Sequence, residues 1–139
     1  MSTQPEPKLE PISTDFTALT SCEGYLRFAC REVHKLNARW WRDPATHEPI
    51  QRNVGEMLML TVSELAEAME GHRKSLMDDK LPNRPMFEVE LADTIIRIMD
   101  MAEGLGLDLA GAWRDKLEYN AKREDHTDAH RLAPGGKKY

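Results

Sequence analysis

The chain of 139 residues carries nineteen Lys and Arg against twenty-four Asp and Glu, a formal net charge of −5. That length suits a single domain, and that charge opposes a nucleic-acid grip, which needs a cationic footprint to meet phosphates. The longest unbroken apolar run, Met57 to Leu60, is too short for a membrane span, and the N-terminal stretch has no apolar signal-like core, so a cytoplasmic protein is expected.

Prolines at 5, 7, 11, 44, 49, 82, 85 and 134 leave 12–43, 50–81 and 86–133 uninterrupted. Proline is excluded from helix interiors, so these are helix windows, and Gly104 and Gly106 split the last in two. Residues 1–19 read as a polar, Pro-bearing arm without regular structure. A first helix is predicted over Cys22–Trp41, with Thr20 and Glu23 as a capping box and Leu26, Cys30, Val33 and Leu36 at helical spacing. Cys22 and Cys30 lack metal-ligand spacing and lie about 12 Å apart along a helix, so both are expected as buried reduced thiols. Only 43–52 leaves room for a short strand.

A second helix is predicted over Asn53–Lys74, with an inner stripe of Leu58, Val62, Leu65 and Met69 and cations at its C-terminal end. A third starts near Pro85 and buries Phe87, Leu91, Ile95, Ile98 and Ala102. A fourth runs from an Asp108 N-cap to about Asp125, with Leu109, Trp113 and Leu117 inward. Residues 126–139 read as a polar, basic, Gly-bearing tail. The expectation is an all-α four-helix domain over 20–125.

The second helix holds Ser63-Glu64-Leu65-Ala66-Glu67 and the third Glu90-Leu91-Ala92-Asp93. Acids three apart on a helix project from nearly one face. Packing the two helices antiparallel would gather four carboxylates, Glu64, Glu67, Glu90 and Asp93. Such a group repels itself unless a cation neutralises it, and hard oxygen ligands select Mg²⁺, with Mn²⁺ as the alternative. The plainer reading is solvated acids paired with Arg73, Lys74 or Arg97. On the fourth helix Lys116, Asn120 and Arg123 share one face, a stripe suited to triphosphate oxygens or to ordinary solvated salt bridges.

In their order, these motifs resemble the MazG-like all-α nucleoside triphosphate pyrophosphohydrolases, in particular small phage and bacterial types. The resemblance rests on Ser63–Ala68, Glu90–Arg97 and Lys116–Asn120, and covers about residues 50 to 125. It implies a four-helix bundle completed by homo-oligomerisation, as a dimer or tetramer. It implies Mg²⁺-dependent hydrolysis of (d)NTP to (d)NMP and pyrophosphate. By resemblance Glu64, Glu67, Glu90 and Asp93 hold metal, Glu64 and Glu67 serve catalysis, and Lys116, Asn120 and Arg123 contact substrate. One departure stands out: aligned on the Leu-x-Glu-Ala segment, Thr61 occupies the place of the first acid, and Glu67 is an additional one.

Further substrate contacts are expected from the first helix. His34, Trp40 and Trp41 are candidates for holding the base, with Asn37 beside them and simple packing as the alternative. Lys137 in the tail is a candidate for closing over a triphosphate. His126 and His130, four apart, lack a third metal ligand and read as solvated. Two other functions compete: a phosphoribosyl-ATP pyrophosphatase-like enzyme, and a catalytically silent helical nucleotide-binding regulator or adaptor.

Overall fold

The computed structural model describes residues 16–136, so Lys137 and the first fifteen residues of the predicted arm lie outside the described residues. Four long helices carry the chain: α1 (Thr17–Leu36), α2 (Val54–Lys74), α3 (Met86–Gly104) and α4 (Leu109–Ala121). A short α5 (Asp128–Leu132) follows, and 3₁₀ turns cover Ala38–Trp41 and Glu124–His126. Among the described residues there is no strand. Residues 43–52 form a turn closed by an isolated bridge between Arg42 and Pro49. No described helix is long and apolar enough to cross a membrane.

The helix boundaries follow local chemistry. Asn53 accepts from the Glu56 amide at 3.2 Å and Asp108 from the Gly111 amide at 3.1 Å, each satisfying a free N–H of a first turn. Pro85 precedes α3 as expected. Gly106, at φ 69°, lets the Leu107 amide donate to the Ala102 carbonyl at 2.8 Å and ends α3 in a Schellman closure. The first helix departs from expectation. It starts at Thr17 after Phe16, which makes no side-chain cap, so Thr20 and Glu23 are interior residues rather than a capping box. Glu23 instead pairs with Arg27 at 2.9 Å and with Arg114 of α4 at 2.6 Å.

The helices pack in the order α2, α3, α1, α4. Gly71 of α2 lies against Met86, while Glu64 meets Arg97 further along α3, so this pair is antiparallel. An added Cβ on Gly71 would stand 3.0 Å from Met86 Cβ, tighter than an ordinary contact, so glycine suits this close approach. Arg27 reaches Asp108 at 2.7 Å and joins the start of α4 to α1.

The interior differs from the predicted stripes. On α2 the buried residues are Met57, Thr61, Glu64, Ala68 and Gly71. Leu58, Val62, Leu65 and Met69, expected inside, are all exposed. On α3 Ala102 is buried as expected, but Phe87, Leu91 and Ile95 are exposed. Leu117 is exposed as well. The physical reason is that α2 and α3 meet along a mostly small and polar face, Thr61, Glu64, Ala68 and Gly71 on one side and Glu90 and Thr94 on the other, while the large aliphatic residues one position on lie beside that contact. Cys30 is buried, and burial raises its thiol pKa; Cys22 is exposed, against expectation. The tail is more structured than predicted, since Thr127 accepts from the His130 amide at 3.3 Å and opens α5.

Candidate functional site

Helix-to-helix packing brings Glu64 of α2 against Glu90 and Asp93 of α3. One carboxylate oxygen from each lies within 4.8 Å of the other two. Glu64 and Glu90 are each 7% exposed, so water does little to screen them. Desolvation first, then a side-chain hydrogen bond with Glu64, then the Glu67, Glu64 and Asp93 charges push the Glu90 carboxyl up to about 7. Burial and Glu64 raise Asp93 as well, against the opposing pull of Arg97. Glu67 is exposed and stands outside the three-acid group, although its charge is felt at Glu90.

The donor set fits a hard divalent cation. Oxygens opposite each other on Mg²⁺ stand about 4.2 Å apart, so a spread of this size closes with small side-chain movement. Thr61 does not add to the set. Its hydroxyl donates to the Met57 carbonyl at 3.0 Å within its own helix. One cation already serves the acids: Arg97 donates to Glu64 Oε1 through Nε and also approaches it with Nη2, both at 2.5 Å. This is one of the pairings that the plainer reading of the sequence allowed. Arg73 and Lys74 lie near Glu70 instead.

A cavity of about 520 Å³ opens beside the cluster. Asp93 and Arg97 line one part of it, and Asn37, Trp40, Arg52 and Glu56 line others. Trp40 is 60% exposed, with Arg39 stacked 5.8 Å from its ring. Arg52 donates to the Trp40 carbonyl at 2.9 Å and fixes the turn that carries it. Arg52 had no signal in the sequence, because the loop after the 3₁₀ turn has no periodicity to read, and Glu56 reads there only as an acid in the first turn of α2.

His34 and Trp41 have different partners. His34 Nδ1 meets Asp100 Oδ1 at 2.8 Å, and Trp41 Nε1 donates to the two oxygens of Asp100 at 3.0 and 3.1 Å. Their rings meet edge to face at 5.2 Å, so both brace α1 and its 3₁₀ turn against α3. Neither lines the cavity beside the acids. Lys116, Asn120 and Arg123 are placed elsewhere. Lys116 and Arg123 flank the Tyr119 ring at 4.9 and 5.7 Å, and Arg123 also holds Asp125. Asn120 Oδ1 is shielded from solvent with no hydrogen-bond partner. Lys116 and Asn120 are on α4, which packs on α1; that helix ends at Ala121 rather than near Asp125, so Arg123 lies beyond it, and none of the three lines the cavity.

No protein-family model, curated protein or solved structure matches the chain.

Proposed function

We propose that the chain is a divalent-metal-dependent nucleoside triphosphate pyrophosphohydrolase. The observation that carries this reading is the convergence of Glu64, Glu90 and Asp93 at the edge of a cavity that also holds an exposed tryptophan. Buried carboxylates so close are costly without a cation, and a cavity joining acids to an aromatic ring suits a nucleotide. In this reading Glu64, Glu90 and Asp93 hold Mg²⁺ or Mn²⁺. The bound ion supplies charge neutralisation on the phosphate oxygens.

The chain's own residues would do the rest. Trp40 stacks on the base, while Arg52 and Arg97 offer forked donors to phosphate. Glu67, exposed one turn from Glu64, takes the proton of the attacking water. The water oxygen bonds to one phosphorus of the α–β bridge, the bridging P–O bond breaks, and pyrophosphate and a monophosphate leave. Phosphoryl transfer depends on positioning and charge, which this arrangement would provide.

The reading includes a second copy of the chain. Antiparallel packing puts residues one position after the α2–α3 contact residues on the same side of the pair. Leu58, Val62, Leu65 and Met69 of α2 then share a face with Leu91 and Ile95 of α3, and all six are exposed. Two such faces meeting about a two-fold axis make a four-helix core.

A nucleotide panel with Mg²⁺, resolving monophosphate plus pyrophosphate from diphosphate plus phosphate, tests the reaction. Pyrophosphate release that disappears in Asp93→Asn is the expected result. A second reading, a silent nucleotide-binding regulator, draws on Thr61 being tied to its own helix and on Arg97 holding Glu64. Nucleotide binding without release from any substrate, in folded protein that binds Mg²⁺, would favour it.

A further inference from the structure

We infer that Arg97 is a displaceable counterion: it holds Glu64 in the metal-free protein and turns to the substrate's phosphates when a divalent cation takes the carboxylates. The inference rests on the proposed metal site and deepens it.

Three observations carry it. First, Nε and Nη2 of Arg97 both lie 2.5 Å from the same oxygen, Glu64 Oε1. Nε donates to that oxygen and Nη2 crowds it, which leaves little room there for a metal. A cation ligated through Oε1 and the Arg97 guanidinium therefore compete for the same oxygen. Second, Arg97 stands one turn after Asp93 on α3, so its guanidinium stays tethered beside the cluster wherever it points. Third, its side chain is 40% exposed while that of Glu64 is 9% exposed, and Arg97 lines the cavity. The guanidinium has open space on the cavity side, and the carboxylate does not.

Charge gives the direction of the switch. Without metal, the cluster gathers up to three negative charges, and Arg97 is paired with Glu64 and its charge is felt at Asp93. A divalent cation at the same carboxylates replaces that compensation and repels the guanidinium. A polyphosphate in the cavity then offers Arg97 the anionic oxygens it has lost, in the fork geometry that guanidinium prefers. One side chain would thus guard the acids at rest and grip the substrate when the site is loaded.

The test uses Mn²⁺ alone, followed by inorganic pyrophosphate in the presence of Mn²⁺. Both are titrated calorimetrically into the full-length wild type, Arg97→Met, Arg97→Lys and Glu64→Gln. Methionine keeps much of the length and removes the charge, so Arg97→Met should bind Mn²⁺ roughly tenfold more tightly than wild type, having no competitor for Oε1. The same variant should bind pyrophosphate roughly tenfold more weakly once Mn²⁺ is present. Its metal-free melting temperature should fall and recover with Mn²⁺. Arg97→Lys, which keeps a cation without the fork, should lie between the two for both ligands and covers the case in which Arg97→Met does not fold.

Mn²⁺ affinity unchanged or weakened in the Arg97 variants, with wild type binding normally and Glu64→Gln impaired, overturns the counterion role and leaves the metal site standing. Tighter Mn²⁺ with unchanged pyrophosphate affinity overturns the turn toward phosphate. Folded wild type that takes up no Mn²⁺ overturns the metal site, and this inference with it.

Discussion

Trp41 lies over the backbone of Gly104, with its ring where a side chain on that residue would have to be. A Cβ built on Gly104 stands 2.2 Å from Cζ2 of the indole. The ring cannot simply turn away, because its Nε1 is held by Asp100. Gly104→Ala should therefore expel Trp41 from its seat, at the cost typical of overpacking, about 1–3 kcal/mol. Urea melts followed by tryptophan emission would show lower stability and a red-shifted native spectrum. A native spectrum and midpoint equal to wild type would mean that the indole does not depend on this seat.

The acidic cluster should leave a pH signature on the metal-free protein. Glu90 is pushed up to about 7 from an ordinary value of 4.5, mainly by burial, and Asp93 is raised too. Glu64, Glu67, Asp93 and Asp78 surround these groups with negative charge, and Arg97 opposes it. A carboxyl with a raised native pKa binds its proton more tightly folded than unfolded. Stability is then greatest below the unfolded pKa, declines as pH rises through the window to about 7, and levels off above it. Melting in a chelator should give a lower midpoint at about pH 8, above this window, than at about pH 5, near its lower end. Glu90→Gln should flatten that slope, and Mg²⁺ should raise the midpoint more at the higher pH. A slope that is the same in Glu90→Gln would separate Glu90 from the effect.

Much of the fold was legible because helix ends are written locally. Pro85, Asn53 and Asp108 mark starts by their own chemistry, and Gly106 marks an end. The start of α1 was not legible, because Glu23 serves a tertiary partner, Arg114, rather than a local cap. Periodicity found the apolar stripes of α2 and α3 but cannot tell the interior of one chain from a face that another copy would cover. Gly71 meets Met86 at the α2–α3 contact, and Ala68 and Thr61 are buried on the same helix; no hydrophobicity pattern singles out any of the three. For the site, helical spacing was enough to expect Glu64, Glu90 and Asp93 to converge. It could not reveal Asp100 as the shared partner of His34 and Trp41, because that depends on how a 3₁₀ turn lies against α3.

The exposed faces of α2 and α3 predict self-association. Val62 is 50% exposed and Leu65 46%, at the middle of a face with no large polar residue among the six. Val62→Asp combined with Leu65→Asp would place charges at the centre of a two-fold contact, where each meets its like. Sedimentation equilibrium should give a dimer or larger for wild type and a monomer for the double variant, with helical circular dichroism retained below the melting transition. A wild type that sediments as a monomer would remove the second copy from the proposed function.

The two neighbouring tryptophans should separate binding from folding. Trp40 is exposed on the cavity, and its removal leaves no buried group unpartnered. A base stacked on it would lose about 1–3 kcal/mol, so Trp40→Ala should raise KM for the best nucleotide by roughly tenfold or more. Its melting temperature should stay close to wild type, because a surface substitution changes stability by only about 0.5 kcal/mol. Trp41→Phe should do the reverse. It removes the donor to Asp100, whose side chain is 16% exposed, and leaves that carboxylate short of a partner. The expected cost is about 1–3 kcal/mol of stability with little change in KM, since Trp41 does not line the cavity. An unchanged KM in Trp40→Ala would move the base away from Trp40. A raised KM in Trp41→Phe at full stability would bring Trp41 back as a substrate contact.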